Sequence, residues 1–145
     1  MDYLGDTVTI VRHFSGSGKI GKSARKILDD VDAGENRLFI SSISLVEILY
    51  LSEKNRIQIQ LQGAIELIGQ STNYDVVDLT PQIIILAETL KFRDIFDRLI
   101  MATARYLGVP LVSSDREITK SGLIETVWEW ASFIKPHLAL LGFPP

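Results

Sequence analysis

The feature that most constrains the fold of this sequence is a regular alternation of short β-branched or apolar runs with amphipathic segments of helix length. Such an alternation is typical of a doubly wound α/β sheet, in which helical crossovers connect strands that run parallel. The sequence therefore predicts an α/β fold with a mostly parallel five-stranded sheet. The expected strands lie at residues 3–11, 37–41, 74–78, 109–113 and 123–128.

The segments between these strands carry signals for helix ends. Thr80 is suited to cap a helix, and Pro81 suits its first position, where the missing N–H costs nothing. Gly108 is suited to end a later helix. Helices are expected at 22–33, 43–54, 57–70, from 81, at 94–107 and from 115. The length and the 46% hydrophobic content indicate one domain, residues 1–128, followed by a tail, 129–145, that we leave without an assigned role.

The absence of cysteine restricts the chemistry that the chain can perform. It excludes disulfides, thiolate metal sites and thiol nucleophiles, so any metal must be held by oxygen or by His13 and His137. Oxygen ligands favour magnesium or manganese. The net charge of −3 argues against a broad basic surface for nucleic acid, but not against local binding. We expect a cytoplasmic protein with no membrane partner, because no apolar run approaches the roughly 20 residues of a span and residues 1–6 do not resemble a signal peptide.

Two carboxylates stand in or directly after expected strands. In an open parallel sheet the ligand crevice lies beyond the carboxyl ends of the strands, so polar residues that follow an apolar run are candidates for a site. Asp115 follows the run VPLVSS, and its alternative role is to cap the next helix. Asp6 lies inside the expected first strand, where an unpaired carboxylate is costly to bury. A structural ion pair is the alternative explanation for Asp6.

Three more carboxylates lie on expected helices. Glu47 falls inside an apolar stripe that includes Val46 and Tyr50, and a charge on the core side of a helix needs a partner. Asp94 and Asp97 are spaced so that both can lie on one side of a helix start. The alternative is that acids in a first turn complement the helix dipole.

Taken together, Asp6, Glu47, Asp97 and Asp115 indicate a metal site more strongly than any one of them does. Clustered carboxylates repel one another and raise one another's pKa unless a cation intervenes. A divalent metal neutralises such a cluster and activates a water for attack on a phosphodiester. The sequence therefore predicts a metal-dependent phosphodiesterase site.

Three segments of the chain carry a resemblance to a known family. They are YLGDTVTIVRHFSG, LFISSISLVEILYLSEKNRI, and FRDIFDRLIMATARYLGVPLVSSDREI with the following GLIETVW. Over roughly residues 3–128 the sequence resembles the PIN domain, and within that family the VapC-type toxins of prokaryotic toxin–antitoxin pairs. The third segment is the most specific. The resemblance implies a three-layer α/β/α sandwich with a parallel five-stranded sheet.

The resemblance also implies a magnesium- or manganese-dependent endoribonuclease. Asp6, Glu47, Asp97 and Asp115 match the acidic quartet that binds metal and carries catalysis in the family. Asp94 matches an auxiliary acid of the metal site in the subgroup with this RD-x-FDR arrangement. On this basis the acids hold Mg²⁺ or Mn²⁺, and the products carry 5′-phosphate and 3′-hydroxyl ends.

The same resemblance implies further site residues and partners. Thr7 and Ser113 match small hydroxyl residues that flank the site, and we assign them to substrate binding. The expected partners are an RNA substrate, a cognate antitoxin whose C-terminal segment covers the acids, and a second copy of the chain in a homodimer. The alternative from a different class is a non-catalytic binding module with the same fold.

Basic residues are expected along the crevice as well. They can hold an RNA backbone by charge without reading bases, and we assign substrate binding to Arg12 and Arg98 among them. Arg93 and Arg98 can alternatively neutralise the neighbouring acids. The basic residues expected to border the crevice are Arg12, Lys19, Lys22, Arg93 and Arg98.

Residues 16–23, GSGKIGKS, satisfy the phosphate-loop pattern G-x-x-x-x-G-K-[ST] in full. In a nucleotide-binding protein Lys22 would reach the terminal phosphates and Ser23 would bind magnesium. That interpretation leaves Asp6, Glu47 and Asp97 without a role, whereas the nuclease interpretation explains them. We therefore expect residues 16–23 to be a flexible connector, with a nucleotide-binding protein as the alternative function.

Overall fold

The computed structural model describes residues 1–129 and 131–132, with side chains up to residue 129. These residues contain one sheet of six strands. In chain order the strands are β1 (Asp2–Gly5), β2 (Arg37–Ser41), β3 (Tyr74–Val77), β4 (Leu111–Val112), β5 (Thr126–Val127) and β6 (Ala131–Ser132). Their order across the sheet is β3-β2-β1-β4-β5-β6.

One or two helices connect each pair of parallel strands that follow one another along the chain. None of the helices in the described part is long and apolar enough to cross a bilayer. The helices are α1 (Thr7–Ser15), α2 (Lys22–Asp32), α3 (Ser42–Glu53), α4 (Leu61–Gln70), α5 (Pro81–Glu88), α6 (Ile95–Leu107) and α7 (Arg116–Ser121).

The expected sheet of five mostly parallel strands is confirmed. Strand β1 pairs in parallel with β2 and β4, β2 with β3, and β4 with β5. Strand β6 adds a short antiparallel edge to β5. It comes from the tail that the sequence left without assignment, and the rest of that tail, with His137, lies outside the described residues.

The first strand is shorter than expected, because the predicted strand at residues 3–11 is a strand only as far as Gly5. The Asp6 carboxylate accepts the backbone N–H of Thr9 at 2.9 Å and so caps α1. A Cβ on Gly5 would lie 2.7 Å from Cδ1 of Ile10, so glycine lets α1 fold back closely on β1. Asp6 therefore stands at the carboxyl end of β1 and not inside it.

Alternate residues of a strand pack against opposite helical layers. Leu38 and Ile40 of β2 pack with residues of α1, α2, α3 and α4. Phe39, between them, packs with residues of α5 and α6 on the other face. This alternation follows from the two-residue period of a strand, and it confirms the three-layer α/β/α sandwich.

Candidate active site at the carboxyl end of the sheet

Four of the predicted acids come from separate segments that meet at one edge of the sheet. Asp6 directly follows β1, and Asp115 follows β4. Glu47 lies in α3, the helix that follows β2, and Asp97 lies in the first turn of α6. Because parallel strands end at the same edge, this topology brings residues that are distant in sequence to one crevice.

Asp6 is the most deeply buried of these acids, with 8% of its surface exposed. Burial raises the pKa of its carboxyl group, and the negative charge of Asp115 raises it further. Hydrogen bonds from Ser113 and Thr9 act in the opposite direction and lower that pKa in part. Asp6 is thus held by hydrogen bonds and lies close enough to Asp115 for the two charges to interact.

Asp115 is both a helix cap and a member of this group. Its Oδ1 accepts the N–H groups of Glu117 and Ile118 at 2.8 and 3.1 Å, which fixes the start of α7. The hydroxyl of Ser113 accepts the Asp115 N–H at 3.0 Å. The capping interpretation is correct, and it does not exclude a second role, because the cap bonds use one carboxylate oxygen.

Glu47 is held by a hydroxyl pair. The Thr7 hydroxyl donates to Oε1 of Glu47 at 2.6 Å and lies 3.0 Å from the hydroxyl of Ser44. Partial burial raises the pKa of Glu47, the Thr7 bond lowers it, and the charges of Asp94 and Asp6 raise it. The structure therefore places Thr7 in direct contact with one of the predicted metal ligands.

The expectation that the apolar stripe around Glu47 faces the core is wrong at Val46 and Tyr50, although Ile43 of the same helix is buried. Val46 and Tyr50 are each 54% exposed. Helix α3 is apolar around most of its circumference, so the apolar pattern alone does not identify its buried side. Around Glu47 this helix and the start of α6 form a cavity of about 360 Å³, which we call the apolar cavity. Its lining residues are Val46, Glu47, Tyr50, Leu51 and Phe96.

Asp97 interacts with all four of the other acids. Oδ1 of Asp94 accepts the Asp97 N–H at 3.0 Å and caps α6. The pKa of Asp97 is raised to about 7, first by burial and then by the charges of Asp94, Asp115, Glu47 and Asp6 in that order. We call these five carboxylates the acidic cluster.

No Lys or Arg neutralises the acidic cluster through an ion pair within the described residues. Nε of Arg98 is buried and lacks a hydrogen-bond partner in the same part of the chain. The guanidinium of Arg12 donates to the carbonyl of Lys19 at 2.7 Å, so this hydrogen bond ties Arg12 to the loop after α1. Up to residue 129, the negative charge of the cluster is thus not compensated by a direct ion pair.

The chemistry of the acidic cluster fits a hard divalent cation. All of its donors are carboxylate oxygens, and the pKa values of Asp6, Glu47 and Asp97 are raised by burial first and by the neighbouring negative charges in addition. Across the described residues, however, no three Asp, Glu or His side chains are arranged to ligate a single ion. The bond from Thr7 to Glu47 uses Oε1 of the carboxylate.

The family model of the PIN domain matches residues 3–122. The chain belongs to the PIN domain family. This membership agrees with the α/β/α architecture. No curated protein matches the sequence well enough to count as a relative.

Solved structures share the fold of this PIN domain. VapBC2 from Rickettsia felis, bound to a DNA fragment from its promoter, matches with a TM-score of 0.67 and 20% identity, over 88% of this chain and 99% of that one. VapC20 from Mycobacterium tuberculosis, a toxin that cleaves the sarcin-ricin loop, gives 0.60 and 15%, over 90% and 99%. A toxin–antitoxin complex from Klebsiella pneumoniae gives 0.55 and 18%, over 78% and 86%.

The GSGKIGKS segment of the PIN domain lacks the setting of a phosphate loop. Residues 16–23 follow helix α1, whereas a phosphate loop follows a strand. The Lys22 N–H points to the Glu129 carboxylate at 3.4 Å, and the Ser23 hydroxyl donates to the Glu129 carbonyl at 2.7 Å. The backbone N–H of Lys22 and the hydroxyl that would bind magnesium are therefore bonded to Glu129.

His13 lies apart from the acidic cluster. Its Nε2 is 2.8 Å from the hydroxyl of Tyr74, the first residue of β3, and that hydroxyl donates to Asp32 at 2.8 Å. These groups lie at the amino end of β3, opposite the acidic edge. Among the described residues, oxygen ligands alone are therefore available at the acidic edge.

The sequence did not identify two residues of the site, Thr9 and Ser44. The Thr9 hydroxyl donates to the Val112 carbonyl at 2.9 Å, which ties α1 to β4 beneath Asp6. Ser44 is buried beside Thr7. A serine within the apolar segment ISLVEIL was the available signal for Ser44, whereas Thr9 was hidden by the predicted first strand.

Proposed function

We propose that this PIN domain is a divalent-metal-dependent endoribonuclease that hydrolyses RNA phosphodiesters at the acidic cluster. The observation that carries the proposal is the raised pKa of Asp97, because the four other acids of the cluster all contribute to it. A protein gains no stability from gathering like charges, so a cation is the economical explanation. The proposal assigns the activity to residues 1–128 and gives the tail, 129–145, no role.

In this proposal Asp6, Glu47, Asp97 and Asp115 hold Mg²⁺ or Mn²⁺, with Asp94 as an auxiliary acid. Such a cation, when bound, polarises a phosphate and lowers the pKa of a bound water. The protein's own contribution is to position the ligands.

Each positioning contact is made by a separate group. The Thr7 hydroxyl orients the Glu47 carboxylate, and the Asp94 cap fixes the helix turn that carries Asp97. Ser113 holds the backbone at Asp115. We assign the basic side chains of Arg12 and Arg98 to substrate binding, Arg12 acting through the loop that it holds.

We further propose that the protein is the toxin of a VapBC-type pair and acts in the cytoplasm with a cognate antitoxin. Support comes from the fold shared with proteins of toxin–antitoxin complexes. The exposed residues of the apolar cavity also support a protein partner, since water-exposed apolar groups beside a site mark interaction surfaces. A segment seated there would cover Glu47. Formation of a homodimer would bury exposed apolar side chains outside the apolar cavity.

The test is the substitution Asp97→Asn with RNA cleavage as the readout. Loss of one ligand charge should reduce magnesium- or manganese-dependent cleavage by roughly 100-fold or more. The matched control is Asp75→Asn, a half-buried acid of β3 that pairs with Arg37 at 3.0 Å outside the cluster. Cleavage that persists in Asp97→Asn with metal supplied contradicts the assignment.

One observation favours a competing proposal, a PIN-fold module that binds partners without catalysis. The described side chains do not already form a three-ligand metal site. Isothermal titration calorimetry with manganese separates the two proposals. If the protein is a nuclease, the wild type should bind manganese and Asp97→Asn should bind it more weakly. A wild type that takes up no metal in the millimolar range supports the binding module.

A further inference from the structure

A second cavity, of about 550 Å³, opens beside the acidic cluster. Ser113 and Ser114, which directly precede Asp115, line one part of it. Helix α7 and the loop between α1 and α2 contribute other parts of the lining. We call it the strand cavity. The strand cavity therefore adjoins the acidic cluster on the side of Asp115.

Cations dominate the charge of the strand cavity. Lys19, Arg116 and Lys120 line it, and their side chains are exposed. Glu129 is the one acid in the lining that the structure describes. None of the three cations forms an ion pair with any residue from 1 to 129. In a chain with a net charge of −3, this local excess of positive charge favours a polyanion.

The glycine- and lysine-rich segment after α1 builds one wall of the strand cavity. The Arg12 guanidinium donates to the Lys19 carbonyl at 2.7 Å and so holds the loop. A Cβ on Gly18 would lie 2.8 Å from Cγ of Arg12, and the φ of Gly18 is +86°, so this close packing requires glycine. The segment that mimics a phosphate loop therefore presents Lys19 to the cavity.

Trp128 supplies an aromatic surface next to these cations. Its indole is partly exposed and lines the strand cavity. Its carbonyl accepts the Ala24 N–H at 2.8 Å, and a Cβ on Gly21 would lie 2.8 Å from its Cδ1. Trp128 is thus held in place by α2 and by Gly21, the residue that precedes this helix. A fixed aromatic ring beside cations is the arrangement that binds unpaired bases and their phosphates.

We propose that the strand cavity binds single-stranded RNA next to the scissile bond, with Lys19, Arg116 and Lys120 contacting phosphates and Trp128 stacking on an unpaired base. This inference rests on the proposed ribonuclease function and adds to it the residues that hold the strand beside the scissile bond. RNA paired at this position would not present a base to Trp128, so the site selects unpaired strands.

The first experiment measures the binding of a labelled single-stranded RNA by fluorescence anisotropy in EDTA. All variants carry Asp97→Asn, so that the RNA stays intact. Arg116→Ala and Lys120→Ala should each weaken binding several-fold. Each should also reduce the slope of log affinity against log salt by about 0.7 for each phosphate that the variant no longer neutralises. Lys26→Ala is the matched control, because Lys26 on α2 pairs with Asp30 and does not line the cavity.

The second experiment tests stacking on Trp128. Trp128→Phe and Trp128→Leu both keep an apolar side chain against Ala24 and Val127, but phenylalanine alone keeps a ring. Trp128→Leu should lose roughly tenfold in RNA affinity, and Trp128→Phe should lose much less. Melting temperatures of the two variants show whether packing has changed equally in both. Equal losses of affinity by both variants overturn the stacking role.

The proposal and the function on which it rests can fail separately. If Arg116→Ala and Lys120→Ala affect RNA binding no more than Lys26→Ala, the strand cavity is not an RNA site, even if the wild type cleaves RNA. That result would leave the cavity as a surface for a protein partner. If the cavity variants lose RNA affinity but the wild type never cleaves RNA with metal, the strand cavity is an RNA-binding site and the nuclease proposal is wrong.

Discussion

Two clusters of titratable side chains at opposite ends of the sheet are built in opposite ways. At the carboxyl ends, the acidic cluster gathers five carboxylates, and burial together with the charges of the other four raises the pKa of Asp97. At the amino end of β3, the Tyr74 hydroxyl donates to Asp32 and lies 2.8 Å from His13. We call these three residues the tyrosine clamp.

The difference lies in how each cluster satisfies its polar groups. Because the Tyr74 proton goes to Asp32, the tyrosine oxygen is free to accept the Nε2 proton of a neutral His13, and each buried group has a partner. The acidic cluster has cap bonds, but its charges are all of one sign. We infer that the clamp stabilises the fold, while the acidic cluster costs stability until a cation binds.

The largest expected stability effect is at the tyrosine clamp. Tyr74→Phe removes the hydroxyl that links His13 to Asp32 and leaves a buried N–H without its partner. It should lower the free energy of unfolding by about 1–3 kcal/mol, measured by urea denaturation. Tyr106→Phe is the control, since Tyr106 is 55% exposed on α6 and should change stability little. Similar effects of the two substitutions would mean that the clamp is not a structural device.

The next effect should have the opposite sign and lie at the acidic cluster. Asp97→Asn removes one repelling charge and leaves the cap intact, since Asp94 bonds to the backbone of Asp97. In EDTA it should raise the free energy of unfolding by about 1 kcal/mol. Adding manganese should stabilise the wild type by mass action and the variant less.

Melting curves across a manganese titration check this expectation. The advantage of Asp97→Asn in EDTA should shrink or reverse as metal is added. Equal metal shifts in both proteins would show that Asp97 is not a ligand. If manganese shifts neither protein over a millimolar range, the acids do not form a metal site.

The sequence predicted correctly that Asp115 follows a strand, but it predicted the extent of the first strand incorrectly. Asp115 follows an apolar strand, and the rule for parallel sheets needs no further information to place it in the crevice. The segment after Gly5 is rich in threonine and valine, which favour strands by propensity. In the protein, the Asp6 cap and the packing of Ile10 against β1 outweigh that propensity. The position of Asp6 was thus mistaken although its membership of the acidic group was expected.

The strand cavity shows what one sequence does not reveal. Lys19 and Lys120 are separated by about a hundred residues, and only the packing of the loop after α1 beside α7 and β5 brings them to one cavity. From the sequence alone, Arg116 and Lys120 cannot be distinguished from other charged residues on the surface of a short helix. The exposure of Val46 was equally hidden, because α3 is apolar on several sides.

The smallest expected effect is a difference in pH dependence between the two clusters. The pKa of Asp97 is raised to about 7, so without metal its contribution to stability is present at acid pH and is lost as the pH rises through about 7. The pKa of His13 is lowered from 6.5 by burial, so its contribution is present above that value and is lost as the pH falls below it. The two slopes oppose each other in the wild type.

Substitution should separate these two slopes. At low pH Asp97 is protonated and resembles Asn, so the advantage of Asp97→Asn in EDTA should be near zero at about pH 4 and largest above about pH 7. His13→Gln removes the opposing contribution, and its cost should therefore be larger at about pH 8 than at about pH 5. Urea denaturation at several pH values measures both differences. An advantage of Asp97→Asn that does not change with pH would mean that repulsion within the acidic cluster is not what the substitution relieves. A cost of His13→Gln that grows toward acid pH would mean that the tyrosine clamp holds His13 in its charged form, and the contrast between the two clusters would then disappear.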